Sequence, residues 1–370
     1  MDFSYSAEQD MLRESVERLL SAQYDFHTRQ MIVRSDGGKT SAIWAELRDL
    51  GLVQLPFDAA HGGLDGSIVD MVAVAEIFGK FLVVEPLLTS VMLAGRMLAA
   101  CADHPEAAAW TSRIASGSAR AAFAHDEGHG TPDPSHVGLK VKREGADYIL
   151  TGEKRLVIGA EGADRLVVTG RLSGAPGDGA GIGMFLVDPL SPSVEITPVR
   201  MFDGRRAAHV RLDRCSAILI EAESFATVDR LINDTLVVLS AEVVGAIGAL
   251  VEQTAEYAST RKQFGAPIAS FQAVAHRLAD MKIAHVKARA TMLHTAARAE
   301  AGLITQRDVS IMKAQTATLG RSVGEAAVQL HGGIGMTDEL AIGHYLKHIL
   351  AFDAMFGDAD FHWRRIGAEA

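Results

Sequence analysis

Apolar residues recur along this chain with two different periods, and the changes of period divide it into three blocks. From the start to about residue 118 the pattern is helical. Ser6 followed by Gln9 reads as a capping box, and Met11, Leu12, Val16, Leu19 and Leu20 then trace one stripe. A helix over 41–50 ends at Gly51, and a loop rich in Gly, Pro and Asp follows, GLVQLPFDAAHGGLDGS. Further helices are predicted over 70–82, 87–101 and 105–116. Between 119 and 222 the runs become short and β-like: ARAAFA, DYILTG, KRLVIG, DRLVVTG, GMFLVD, VEITPV, AAHVRL and CSAILI. Their spacing predicts a small antiparallel barrel or sandwich. Long helices then return over about 227–260, 268–302, 307–331 and 338–356. The expected architecture is mainly α with a small β-domain: an N-terminal helical domain (1–118), a middle β-domain (119–222) and a C-terminal four-helix bundle (223–370).

Composition narrows the function classes. The 370 residues are 48% hydrophobic and only 6% aromatic, so Ala, Leu, Val and Met carry the apolar load, as in a large helical protein. A net charge of −10 argues against a nucleic-acid partner, because nothing offsets phosphate repulsion. No run of 18 or more apolar residues occurs, so no membrane span is expected. The start, MDFSYSAEQDMLRESVERLL, lacks the basic-then-apolar order of a secretory signal. Cys101 and Cys215, the two cysteines, imply neither a disulfide framework nor a metal site. A cytoplasmic location is the expectation.

The break between the first two long helices of the third block reads RKQFGAPIASFQ (261–272). A linker would not spend two Phe and an Ile, and a plain helical hairpin would be shorter and more polar. Together with QLHGGIGMTDE at 329–339, GLVQLPFDAAHGGLDG at 51–66 and GEKRLVIGAEGADRLVV from 152, this stretch resembles the acyl-CoA dehydrogenase flavoproteins along the whole chain. YDF near the start and FGDAD near the end make it most similar to the small subunits of two-subunit dehydrogenases of the pimeloyl-CoA or steroid-side-chain type. The resemblance implies the acyl-CoA dehydrogenase fold, FAD as cofactor, an acyl-CoA substrate and an electron-transfer flavoprotein or similar acceptor. It also implies an oligomer, because in the family this stretch contacts the FAD of a neighbouring subunit. Arg261 suits a bidentate contact with the diphosphate. Gln263 and Gln272 supply neutral donors and acceptors, while Phe264, Ile268 and Phe271 suit apolar cofactor surface. Gly265 and Pro267 set the chain break. By the same resemblance Gln329, Gly332 and Gly333 approach the dinucleotide, whereas His331 reads as a structural helix-end side chain.

Several positions depart from the family. Its reaction takes a proton from the carbon alpha to the thioester and needs a carboxylate base. The common base position falls on Phe356, and the alternative one, on the helix before RKQFG, falls on Thr235. Asp353, Asp358 and Glu242 are the remaining carboxylates. Glu242 lies two turns, roughly 10 Å, from Thr235 and is expected to pair with a buried Arg or Lys. Leu156 and Ile158 stand where a Trp and a Thr usually face the flavin, Asp126 where a neutral Thr is usual, and Leu236 where some members anchor substrate with Arg. The expectation is a subunit with a degenerate flavin site of its own, paired with a base-bearing relative. The rivals are a self-sufficient homomeric dehydrogenase with a non-standard base, a flavin oxidase with an Asp base, and a scaffold that binds no flavin.

Overall fold

The first helix, α1 (Ala7–Gln23), begins at the expected capping box: the Ser6 side chain accepts from the Gln9 amide while the Gln9 side chain accepts from the Ser6 amide. The computed structural model describes residues 4–35, 41–128, 130 and 132–368. α2 (Phe26–Arg34) was not expected from periodicity; Asp25 caps it by accepting from the Thr28 amide at 2.7 Å. α3 (Ser41–Asp49), α4 (Ile68–Phe81) and α7 (Pro105–Ala115) lie close to their expected spans. The segment expected as one helix over 87–101 is instead α5 (Leu87–Thr89), a π-wound stretch (Ser90–Gly95) and α6 (Arg96–Ala100).

Among the described residues, seven strands make the β-region: β1 (Ala121–Ala124), β2 (Lys140–Glu144), β3 (Asp147–Ile158), β4 (Arg165–Arg171), β5 (Ile182–Val187), β6 (Val194–Arg200) and β7 (Arg206–Glu221). DYILTG and KRLVIG merge into β3, and AAHVRL and CSAILI into β7. The long strands survive their breaks because bulges interrupt the β3–β7 register between Leu150 and Gly152 and between Lys154 and Val157. The expectation of an antiparallel sheet is corrected, since β4 runs parallel to both β1 and β2. The pairings β4–β2–β3–β7–β5–β4 close a ring, so the barrel alternative holds. Leu139, Leu150, Leu166, Val168, Phe185 and Val210 fill its core.

The third block holds α8 (Phe225–Thr260), α9 (Gln272–Glu300), α10 (Gln306–His331), α11 (Ala341–Ala354) and an unexpected short α12 (Ala359–Ala368). α8 is long and apolar enough to cross a membrane by length and composition, but most of its apolar stretch is buried within the protein. It packs against α4 backbone to backbone. A Cβ at Gly79 would lie 1.6 Å from the Glu242 carbonyl oxygen, and one at Gly245 would lie 1.8 Å from that of Glu76. By internal contacts the chain divides into two units, one of Met1–Gln30, Ile68–Val83 and Leu236–Ala370, the other of Met31–Ser67 and Val84–Thr235.

Candidate functional site

Within the 261–272 stretch, residues 262–267 form a β-hairpin. β8 (Lys262–Gln263) pairs antiparallel with β9 (Ala266–Pro267), and the two residues between them both have positive φ, Phe264 at 53° and Gly265 at 82°. That is the type I′ pattern favoured in two-residue hairpins. Glycine adopts it freely, but phenylalanine does not, at a cost of about 1–2 kcal/mol. The Phe264 ring is 95% exposed and meets Phe271 edge-on, 6.1 Å between centroids. Arg261, Gln263 and Gln272 are exposed and Ile268 is half-buried; the six expected contact residues run from the end of α8 through the hairpin and a 3-10 turn (Ile268–Ser270) to the start of α9.

The second motif ends α10. Gln329, Gly332 and Gly333 are exposed. Gly332 adopts φ 65°, ψ −144°, which requires glycine, while a Cβ at Gly333 would meet nothing within 4 Å. His331 is buried, with Nδ1 2.8 Å from the Ala327 carbonyl, and burial lowers its pKa. The carbonyl can only accept, so Nδ1 carries the proton. Its ring stacks on Tyr257 at 4.3 Å, and the Tyr257 carbonyl accepts from the Arg261 amide. This stack brings two motifs far apart in sequence to one end of the bundle. His331 is the last residue of α10.

In the β-region the bulge between Lys154 and Val157 carries Leu156 at φ 49° and leaves it 48% exposed. Asp126 is exposed; its Oδ1 accepts from the Gly128 amide at 2.7 Å, and its carbonyl accepts from the Arg155 amide at 2.7 Å. Ile158 is half-buried at the end of β3. A cluster that sequence reasoning missed lies beside these residues. The Lys154 ammonium, 0% exposed, donates to Glu127 Oε1 at 2.7 Å, the His125 carbonyl at 2.8 Å and Thr169 Oγ1 at 3.2 Å. Glu127 also accepts from the amides of Gly138 and Leu139. Burial pushes Lys154 down to about 8. Burial pushes Glu127 up, but the Lys154 charge and the hydrogen bonds outweigh it and hold the carboxyl below its usual range. The signal was present: Lys154 falls on the inward register of β3, with Leu150, where a lysine demands a partner.

Thr235 and Phe356, the residues on which the resemblance places the base, carry no carboxylate. Thr235 is buried, and its hydroxyl is engaged with the Leu231 carbonyl at 2.7 Å and the Met92 carbonyl at 3.3 Å; Leu236 is buried beside it. Phe356 follows α11 with φ 54°. Asp353 and Asp358 accept from the amides of Ala359 and Phe361, at 2.9 and 2.8 Å, at the start of α12. Glu242 is buried, but the basic side chain beside it is His348, with Nε2 3.7 Å from Oε1, in place of the expected Arg or Lys. Three of the six non-glycine residues with positive φ among those described are Leu156, Phe264 and Phe356. Such strain clusters at functional positions. Among the described residues, no group of His, Cys, Asp and Glu could hold a metal ion.

Residues 6–118 match the family model for the acyl-CoA dehydrogenase N-terminal domain, and residues 225–370 the model for the C-terminal domain. Acyl-CoA dehydrogenase IpdE2 of Mycobacterium tuberculosis is 28% identical over 341 residues, covering 92% of this chain and 90% of that protein. Among solved structures, the ChsE4–ChsE5 complex from Mycobacterium tuberculosis superposes with a TM-score of 0.89 at 27% identity, covering 100% of this chain and 98% of the other. PigA with FAD and proline superposes at 0.91 with 22% identity, covering 100% and 99%, a likeness of fold.

Proposed function

This chain belongs to the acyl-CoA dehydrogenase family, and from that premise we propose that it is an FAD-associated subunit whose base-bearing relative completes the reaction. The reaction is α,β-dehydrogenation of a coenzyme A thioester. FAD, the family's cofactor, supplies the hydride acceptor when bound. The observation that carries the reading is the loss of a carboxylate at both base positions. A phenyl ring at 356 cannot take a proton, and the Thr235 hydroxyl is engaged with backbone carbonyls. Asp353 and Asp358 already hold the amides that open α12, so neither carboxylate is free of structural work.

The residues at the end of the bundle fit the cofactor's polar half. Arg261, Gln263 and Gln272 are exposed donors on a hairpin whose turn exposes Phe264, and Gly332 and Gly333 leave open backbone beside them. There the Arg261 fork would hold the diphosphate and Phe264 would cover apolar surface. The β-region residues fit less well: Leu156 and Ile158 offer no side-chain donor, and Asp126 adds negative charge. This asymmetry supports a chain that grips the partner's FAD better than its own. The ChsE4–ChsE5 neighbour is a complex of two different chains, and we carry that arrangement over; an electron-transfer flavoprotein is the acceptor the family suggests. The experiment is co-purification from the native host, followed by turnover of the single purified chain with and without any related subunit so recovered, with flavin counted per chain. A chain that retains no flavin in either form is instead the scaffold alternative.

A further inference from the structure

We propose that Lys313 and His362 are positioning residues that hold residue 356 in its left-handed conformation, so that the turn after α11 keeps its geometry whatever side chain 356 carries. The weight given to position 356 rests on the functional reading above; the geometry of the turn does not.

A helix leaves its last four carbonyls without partners inside itself. At the end of α11 a buried lysine from α10 takes two of them. Lys313 Nζ donates to the carbonyls of Phe352 at 2.9 Å and Asp353 at 3.0 Å, and lies 4.1 Å from the centre of the Phe352 ring. A cation there also suits the negative end of the helix dipole. Ser310 lies three residues earlier on the same face of α10. Its Oγ is 3.1 Å from His362 Nδ1, and His362 Nε2 is 3.2 Å from the carbonyl oxygen of Phe356. A carbonyl only accepts, so Nε2 carries the hydrogen and Nδ1 accepts from the Ser310 hydroxyl. Both residues are buried, and burial keeps the imidazole neutral by pushing it down to about 4.

Phe356 and Gly357 then take φ of 54° and 99° in succession. The second suits glycine, and a Cβ there would meet the Phe361 ring at 2.5 Å. The first is a conformation that a phenylalanine avoids, and it persists only where the surroundings impose it. Each bond that imposes it goes to a backbone carbonyl of 352, 353 or 356, or from an amide of α12 to Asp353 or Asp358. None uses the side chain of 356. A carboxylate placed at 356 would therefore stand on the same turn.

Hydrogen exchange on the full chain tests this without any ligand. In Lys313→Met the amides of 353–362 should exchange at least about tenfold faster, the loss expected for two buried hydrogen bonds, while the middle of α10 stays protected. Adding Phe356→Gly to Lys313→Met should return that protection to within about threefold of the parent, because glycine takes positive φ without strain. Mere loss of packing around Lys313 would not be rescued by a glycine at 356. Unchanged exchange in Lys313→Met, or a loss that Phe356→Gly does not restore, overturns the proposal. If Lys313→Met does not fold, His362→Gln and His362→Ala carry the same comparison. Protection retained with Gln, which keeps a donor for the Phe356 carbonyl, and lost with Ala supports the proposal; equal behaviour of the two overturns it.

Discussion

Replacing Lys154 with Met would remove the buried positive charge that pairs with the Glu127 carboxylate. The two side chains are 0% and 6% exposed and meet at 2.7 Å. Breaking a buried pair from one side typically costs about 3–5 kcal/mol, because the other charge is left behind. Here Glu127 keeps the amides of Gly138 and Leu139, which offset part of that, so a loss of about 2–4 kcal/mol is expected. The double variant Lys154→Met with Glu127→Gln removes both charges and should recover at least about 1 kcal/mol relative to Lys154→Met alone. Urea unfolding of the parent, Lys154→Met, Glu127→Gln and the double variant closes the cycle. The pH dependence gives a second reading. The folded Glu127 carboxyl lies below its unfolded value: burial is the largest single effect and raises it, but the Lys154 charge and the hydrogen bonds from Lys154, Gly138 and Leu139 together outweigh it. Its stabilisation is therefore present above the unfolded value and is lost as pH falls through the folded one. In Lys154→Met that acid-side loss should shrink. A Lys154→Met protein as stable as the parent, or a double variant no better than the single, would refute the pair as the element that holds the loop carrying Asp126.

Arg261→Lys should weaken FAD retention roughly tenfold or more, since a point charge does not replace a two-bond fork; parallel dialysis of parent and variant measures it, and equal retention would count against the assignment. Gly245→Ala should destabilise the chain by about 2–3 kcal/mol or more, because the added methyl meets the Glu76 carbonyl at 1.8 Å and forces α4 and α8 apart; thermal unfolding shows it, and an unchanged midpoint would contradict the packing. Burial pushes Lys313 down to about 7 from 10.5, against the pull of Asp353 and Asp358. Its contribution is then present above 10.5 and lost as pH falls through about 7, so stability should rise from pH 7 to 9 more steeply in the parent than in Lys313→Met.

What the sequence disclosed follows from what periodicity encodes. The Ser6–Gln9 box, the block order and the long apolar helices are local patterns, and each appears where expected. The closed, mixed sheet was not legible, because β4 meets β1 and β2 through pairings that no local period records. Gly152 looked like a strand end, yet β3 runs through it by a bulge. The π-wound stretch at Ser90–Gly95 keeps a helical apolar pattern, so only backbone geometry distinguishes it. At the site, residue types pointed to the hairpin and the GG turn, but left-handed backbone at Leu156, Phe264 and Phe356 is invisible in residues that rarely adopt it. Glu242 was legible as a buried acid, whereas its neighbour His348 sits on another helix and carries no sequence mark of the pairing.

The central claim is that this chain lacks the base its reaction needs. The measurement is turnover of the single chain, supplied with FAD, an electron acceptor and a panel of short, medium, dicarboxylyl and steroid acyl-CoAs, alone and after addition of the proposed related subunit. Loss of a general base typically costs on the order of 10²–10⁴ in rate, so the lone chain should turn over slower by that factor than the reconstituted pair. Turnover by the lone chain equal to that of the pair would contradict the account, and single Asp353, Asp358 and Glu242 variants would then identify the base it uses.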